Sequence, residues 1–463
     1  MSTDTKSPLR RNRGVRGRTP RTLAVLSVAV LAIATTLSTA GPAASAPDAG
    51  VSSVSSPDTD FYLPPSPLPE GAPGTILRSE RFPLALALPG VDGQVPANAT
   101  RIMYRSADTH GTPTAVTGTY LEPTLPWNGP GPRPLIAVAP GTQGQGDQCA
   151  PSKGFAELVH YNPPLDGWFS YETSTAYSLL ARGMAVVMTD YHGLGTPAMH
   201  DYVNRLAEAH AVLDSIRAVE ALTGITRSSA IFGYSQGGGA AAAAAELQRS
   251  YAPELDVRGT YAGAPPADLR AAMASPAVNG AVPGVIGGTA PGLLGYALNG
   301  FAADYPEVRP VIDAALNPAG KTMAADVADT CIAETVSRTM FRPVTLFTTG
   351  GRTPAEIVDS SPELTAVVDQ QRIGRLTPNA PVLIAGSTND DVVPYPQVRQ
   401  LAADWCAHGA TVQLEQTTWL PPLLPSTGTG HILEFLAATA SAHDWLAQRL
   451  AGKPAPSNCS ALP

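Results

Sequence analysis

The stretch Ala230-Ile231-Phe232-Gly233-Tyr234-Ser235-Gln236-Gly237-Gly238-Gly239-Ala240 decides how the rest of the chain is read. Its first half is a short apolar run with the composition of a buried strand. Its second half leads into Ala240–Ala245, a tract of high helix propensity. Between the two, Gly233-x-Ser235-x-Gly237 predicts a tight strand-to-helix turn with the serine hydroxyl exposed at its tip, the geometry of a nucleophile elbow. Small residues on either side keep the turn clear of neighbouring backbone. In a chain with 43 glycines the bare pattern means little. The strand before it and the helix after it give it weight.

A serine hydroxyl is a poor nucleophile until an imidazole takes its proton, and a carboxylate must orient that imidazole. On this architecture the chain order is serine, acid, histidine. Only His408, His431 and His443 follow Ser235. His443 falls in an amphipathic helix and His408 near a helix end beside Cys406, so both read as packing or surface residues. His431 follows Ser426-Thr427-Gly428-Thr429-Gly430, a flexible loop able to carry it over the sheet edge. For the acid, Asn389-Asp390-Asp391-Val392-Val393-Pro394 follows an apolar strand at Pro381–Gly386. Asp390 is the first choice and Asp391 the alternative. The oxyanion needs donors already in place. One is the backbone N–H of Gln236; the second comes from Pro140-Gly141-Thr142-Gln143-Gly144-Gln145-Gly146-Asp147, with Thr142 first and Gln143 next. Such chemistry calls for no metal and no organic cofactor. Asp190-Tyr191-His192 ends another strand and reads as a structural turn rather than as pocket lining.

Working outward from the elbow, strands and helices alternate. Thr100–Ser106 and Thr114–Tyr120 form a hairpin about His110-Gly111. Strands follow at Leu135–Ala139, Met184–Thr189 and Ala230–Tyr234, with helices over Tyr171–Arg182 and Val203–Leu222. Continuous apolar strands between helices predict an α/β fold, a mostly parallel sheet covered on both faces. The alternation lapses after Pro266 and resumes at Pro381–Gly386, a helix over Tyr395–His408 and a strand at Thr411–Glu415. We therefore divide the chain into 1–46, a core from 47 to 265 whose first part up to about 75 is irregular, a mainly helical cap over 266–375, and the remaining core over 376–463. The Gly- and Ala-rich stretch Ala281–Leu298 belongs to the cap.

The N-terminus predicts export. Lys6, Arg10, Arg11, Arg13, Arg16, Arg18 and Arg21 precede an apolar stretch from Leu23 to about Leu37, and Ala44-Ser45-Ala46 offers a cleavage site. The formal net charge of −8 becomes more negative once that basic segment is removed, which argues against nucleic acid or anionic membranes as partners. Any contact with lipid must then be apolar, made transiently through the cap by a monomer. Cys149, Cys331, Cys406 and Cys459 lack metal-ligand spacing. In an exported chain they predict two disulfides, Cys149–Cys331 and Cys406–Cys459, the second pinning the C-terminal tail to the body.

These residues together resemble the secretory lipases of the yeast lipase A type, which have many actinobacterial relatives. The resemblance is carried by Asp60-Phe61-Tyr62, Ala139-Pro140-Gly141-Thr142, Asp190-Tyr191-His192-Gly193-Leu194-Gly195 and the elbow. It continues through Gly263-Ala264-Pro265-Pro266-Ala267-Asp268-Leu269 and Asp390-Asp391-Val392-Val393-Pro394 to Gly430-His431. It implies the α/β-hydrolase fold, a Ser235–Asp390–His431 triad, a helical lid before the acid loop, and hydrolysis of acylglycerols or simpler esters. Some yeast members use a side-chain carboxylate near the oxyanion site; Asp147 invites the comparison, but its local sequence differs and the role is not carried over.

Overall fold

The computed structural model describes residues 60–86, 96–162, 166–275, 288–424 and 426–462. The export segment, the first part of the irregular extension and residues 281–287 of the apolar stretch lie outside them.

Nine strands make one sheet in the order β1-β2-β3-β7-β4-β8-β9-β10-β11. They are β1 (Ile76–Phe82), β2 (Ala97–Ala107), β3 (Pro113–Pro123), β4 (Leu135–Ala139), β7 (Ala185–Thr189), β8 (Ser229–Tyr234), β9 (Val257–Gly263), β10 (Val382–Ser387) and β11 (Val412–Thr417). A separate hairpin pairs β5 (Val159–Asn162) with β6 (Asp166–Phe169). From β1 to β3 the pairing is antiparallel, and β3 also meets β7 antiparallel; the strands from β7 to β11 are parallel. The fold is the α/β-hydrolase fold expected from the sequence.

The strands differ in the way their positions require. β4, β7, β8 and β10 lie inside the sheet and bury every residue, so each is a mostly apolar run with polar Thr189, Ser229 and Ser387 only at strand ends. Each Ile or Val so buried, such as Ile136, Val186 or Ile231, contributes roughly 1.5–3 kcal/mol. β11 is an edge strand, and its first residues alternate buried with half-buried positions. β1 and β9 were not anticipated. Exposed polar residues break the apolar pattern of β1 (ILRSERF), and Arg258 and Gly259 do the same in β9.

Helix α1 (Pro151–Glu157), α2 (Thr173–Ala181), α3 (Arg205–Thr223), α4 (Gln236–Tyr251), a helix over Tyr395–Ala407 and a long one over Thr429–Leu450 cover the core. Between β9 and β10 the described residues are mainly helical, from Leu269–Met273 through Ala290–Asp304 to Pro362–Gln370, with connecting loops between them. These helices have an apolar cluster of their own, which includes Phe301, Tyr305, Ile312, Leu364 and Val368. Both expected disulfides form. Cys149–Cys331 ties this helical segment to the loop after β4, and Cys406–Cys459 fastens the C-terminal tail. Among the described residues no helix is long and apolar enough to cross a membrane.

Candidate active site

Ser235 sits between β8 and α4 at φ 61° and ψ −125°, a region that L-residues avoid at a cost of about 1–3 kcal/mol. The fold holds it there through Ser235 N–H to Gly263 C=O (2.9 Å) and Gly239 N–H to Ser235 C=O (3.0 Å). Glycine is obligatory just beyond it. A Cβ on Gly237 would lie 2.0 Å from the carbonyl oxygen of Ala139, and one on Gly238 would lie 2.1 Å from that of Gly263. The start of α4 is thereby pressed against the ends of β4 and β9. The Ser235 side chain faces an internal cavity and is only partly covered.

His431 and Asp390 meet where two other loops converge. Asp390 Oδ2 lies 2.7 Å from His431 Nδ1, while its Oδ1 accepts from the backbone N–H groups of Val392 (2.9 Å) and Val393 (2.8 Å). The neighbouring carboxylate does different work. Asp391 accepts from the N–H of Gly428 (2.9 Å) and the N–H of His431 (3.2 Å), so it holds the backbone that bears the histidine. Asp390 therefore touches the ring and Asp391 its support. His431 stands in the first turn of the helix Thr429–Leu450, not on the flexible loop expected from the glycines. Gly428, at φ 81°, is the residue before that helix, and Gly430 admits the carbonyl of Asn389, which would lie 2.2 Å from a Cβ.

The Tyr234 ring packs 4.9 Å from the imidazole, and its hydroxyl donates to the His431 carbonyl (2.7 Å). Burial opposes protonation of His431, but the Asp390 carboxylate, helped by Asp391 and Glu434, raises the imidazole above its ordinary value. His431 Nε2 is buried and has no hydrogen-bond partner among the described residues. It is the nitrogen free to take a proton.

Thr142 lies in the loop after β4, beside the elbow. A Cβ on Gly141 would be 3.2 Å from the Tyr234 carbonyl oxygen. The N–H groups of Thr142 and Gln236 find no acceptor among the described residues, and Gln236 opens α4, where helical N–H groups are unsatisfied by construction. Everything around them is tied down. Gly141 N–H donates to Glu172 (2.7 Å), Tyr171 donates to the Thr142 carbonyl (2.9 Å), and Tyr191 donates to that of Pro140 (2.8 Å). The Thr142 hydroxyl pairs with that of Tyr202 at 2.9 Å. The Gln236 side-chain amide donates to Glu208 (2.7 Å) and to His200 Nε2 (3.0 Å).

Glu172 and Tyr202 were not singled out from the sequence. Glu172 belonged there to an ordinary helix, and only the contact with Gly141 distinguishes it. Asp190 is the structural residue expected, its buried carboxylate accepting from Thr117 and Ser152. Asp147 lies outside this arrangement, in a short 3-10 turn. His443 is buried against Phe232 and Ser178, and His408 ends the helix Tyr395–Ala407. Neither takes part.

From Ser235 and Gln236 the cavity runs beneath the helical segment, lined by side chains such as Leu294, Leu298, Phe301, Ile312, Leu316 and Val358. The elbow serine and Gln236 thus open into an apolar chamber, with Asp391 and Ser426 from the loops around the acid and the histidine on its wall.

A sequence profile described as "Secretory lipase" matches residues 168–458, well over half of the chain. The chain belongs to the secretory lipase family. With that membership goes carboxylic ester hydrolysis, and the family's secretory character places the protein outside the cell. A probable inactive lipase of Mycobacterium tuberculosis is 28% identical over 406 residues, covering 86% of this chain and 83% of that protein. A secreted triacylglycerol lipase of Malassezia restricta is 28% identical over 416 residues, covering 87% and 81%. Candida antarctica lipase A in its closed state superposes with a TM-score of 0.71 at 20% identity, covering 88% of this chain and 90% of that one. The rice cell wall degrading esterase LipA of Xanthomonas oryzae gives 0.66 at 19%, covering 81% and 98%. At such identities these two structures speak to the fold alone.

Proposed function

We propose that this protein hydrolyses long-chain carboxylic esters, triacylglycerols among them, through an acyl-enzyme on Ser235. The observation that carries the reading is the apolar chamber rooted at Ser235. A fatty acyl chain is the substrate part that gains most from such a lining.

The residues divide the work as follows. Ser235 Oγ attacks the ester carbonyl carbon while His431 Nε2 takes its proton. Asp390 holds the Nδ1–H and stabilises the imidazolium. The oxyanion is received by the N–H groups of Gln236 and Thr142. Collapse breaks the bond to the alcohol, which leaves with the proton from His431. Water then repeats the sequence and releases the acid. The helices over 266–375 act as a cap that excludes water from the acyl chain. Export with cleavage near Ala46 and a monomeric state complete the reading.

The likeness to a probable inactive lipase raises a second reading, a fold kept for binding alone. Against it stands the acid–imidazole hydrogen bond between Asp390 and His431, which a fold kept for binding alone has no need of. One experiment separates the two. An alkyl phosphonate should label Ser235 in the folded protein, and p-nitrophenyl esters of rising chain length should be cleaved alongside emulsified triglyceride. Absence of labelling would sink the catalytic reading. Activity confined to short esters would make the protein an esterase, and amide cleavage a peptidase.

A further inference from the structure

Exposed apolar side chains gather on one segment of the chain. The loop after β11 and the first turns of the following helix present Trp419 (71% exposed), Leu423, Leu424 (69%), Ile432 and Leu436 (63%). Across Thr418–Leu436 the sequence holds a single carboxylate, Glu434, and no lysine or arginine. Glu434 is buried and accepts from Thr417 (3.1 Å). Apart from the buried His431, the outer surface of this segment therefore carries no ionisable group.

The segment is also part of the site. Ile432 and Leu436 are one helical turn apart and so share an outward stripe, while His431 beside them turns inward to Asp390. Asn389, next to the acid, donates to the Leu420 carbonyl (2.7 Å), and Thr427 donates to that of Leu424 (2.6 Å). Ser426 lines the same cavity as Ser235. Two residues earlier the chain is at the surface.

We propose that Trp419, Leu423, Leu424, Ile432 and Leu436 dock the enzyme on an uncharged lipid–water interface beside the entrance to its active site. The inference rests on the reading of the protein as a lipase. It places the interfacial contact on the histidine-bearing segment, where the sequence had suggested the cap.

The choice of a neutral interface follows from charge. Nothing on the patch could pair with an anionic headgroup, and the protein as a whole is negative. Nor does docking there strip water from a charge, so the apolar area removed from water counts in full. Among the described residues the cap offers no equivalent. Its exposed Phe341 and Leu346 stand beside Arg338 and Arg342. A second copy of this chain could cover the same surface, and the test separates that outcome.

The probe is a vesicle of dialkyl-ether phosphatidylcholine, which has no ester to cleave. Trp419 is the reporter: it is one of five tryptophans, Trp405 and Trp445 are buried and Trp127 is half-buried, and Trp419→Phe isolates its share of the signal. Its fluorescence should shift to the blue on binding in the full-length mature protein, and the shift should vanish in Trp419→Phe. The double variant L423E/L424E should lower partitioning by about tenfold or more and cut hydrolysis of emulsified triglyceride to match. Its kcat/KM on p-nitrophenyl acetate should stay within about twofold, which reports that it is folded and competent. Leu436→Gln serves as a second variant if the loop pair fails to fold, and Phe341→Glu in the cap should leave partitioning unchanged.

Unchanged partitioning in L423E/L424E and Leu436→Gln would overturn the proposal. So would a loss as large in Phe341→Glu, or binding that appears only with anionic vesicles. A dimer in sedimentation that these variants dissociate, without vesicle binding, would assign the patch to a second copy instead. Because ether vesicles are not substrates, failure of docking and failure of ester hydrolysis are read separately.

Discussion

The floor of the site and its roof are held by different physics. In the floor, Ser235, Asp390 and the loop at Thr142 follow the ends of parallel strands and His431 opens the helix Thr429–Leu450, each fixed by directional bonds. Above it, the helices between β9 and β10 meet the cavity with apolar side chains such as Leu298, Phe301 and Ile312, whose places depend on packing volume. Hydrogen bonds weaken steeply with angle and length, so the floor defines atom positions. Dispersion and hydrophobic contacts are non-directional, so the roof defines a shape and tolerates exchange among apolar residues. Changes in the floor should therefore alter rate for every substrate, and changes in the roof should alter which substrate is taken.

The largest effect tests the floor alone. Ser235→Ala should lower turnover by roughly 10⁶-fold on short and long esters alike, with little change in thermal midpoint. Retention of more than a tenth of the activity would show that the floor has another nucleophile. Asp390→Asn comes next, with a loss of about 10⁴-fold. Removing its charge should also lower the His431 pKa, moving the acid limb of kcat/KM downward, since the base works only when neutral and Asp390 is what favours its protonated form. Asp391→Asn loosens only backbone, and a loss of at most about 100-fold is expected. If the two variants fell equally, the division of labour between these carboxylates would be wrong.

The same contrast decides what could be read from sequence. The floor leaves chemical signatures: the apolar strand before Ser235, the glycines after it, the order of acid and histidine. What sequence could not decide was which of two adjacent carboxylates turns towards the ring, because Asp390 and Asp391 differ only in side-chain direction. The glycines before His431 suggested a loop, although Gly428 is the left-handed residue that starts a helix. Glu172 stayed hidden because its importance lies in one bond to Gly141, 31 residues away in the chain. The roof offered less. Its short helices follow one another without strands, and nothing in residues such as Phe301 or Ile312 announces the surface they line.

A change in the roof should invert the pattern. Ala297 lines the cavity from the helix Ala290–Asp304. Ala297→Phe should fill that space and reduce kcat/KM on long-chain esters by about 10–200-fold, the range that steric exclusion of apolar groups affords. Acetate esters, which need none of the chamber, should be hydrolysed at the wild-type rate. Equal losses on both would mean that overpacking, worth about 1–3 kcal/mol, had displaced the floor as well.

The smallest effect lies in the floor and depends on pH. Burial pushes the Glu172 carboxyl up to about 7, with the hydrogen bond from Gly141 partly opposing it. Because the folded value is raised, the folded protein binds this proton more tightly than the unfolded chain. The resulting stabilisation is full below the ordinary carboxyl range and is lost as pH rises through about 7. Above that point a negative charge stands behind the loop proposed to receive the oxyanion, where it opposes charge developing in the transition state. Wild-type kcat should therefore decline by a few-fold between about pH 6 and 8, whereas the thermal midpoint should fall earlier, between the ordinary carboxyl range and about 7, and level off above it. Glu172→Gln keeps an acceptor for Gly141 but cannot ionise, so both profiles should flatten while activity at pH 6 stays within about threefold. An unaltered alkaline decline in Glu172→Gln would assign it to another group and leave Glu172 as a fixed strut of the floor.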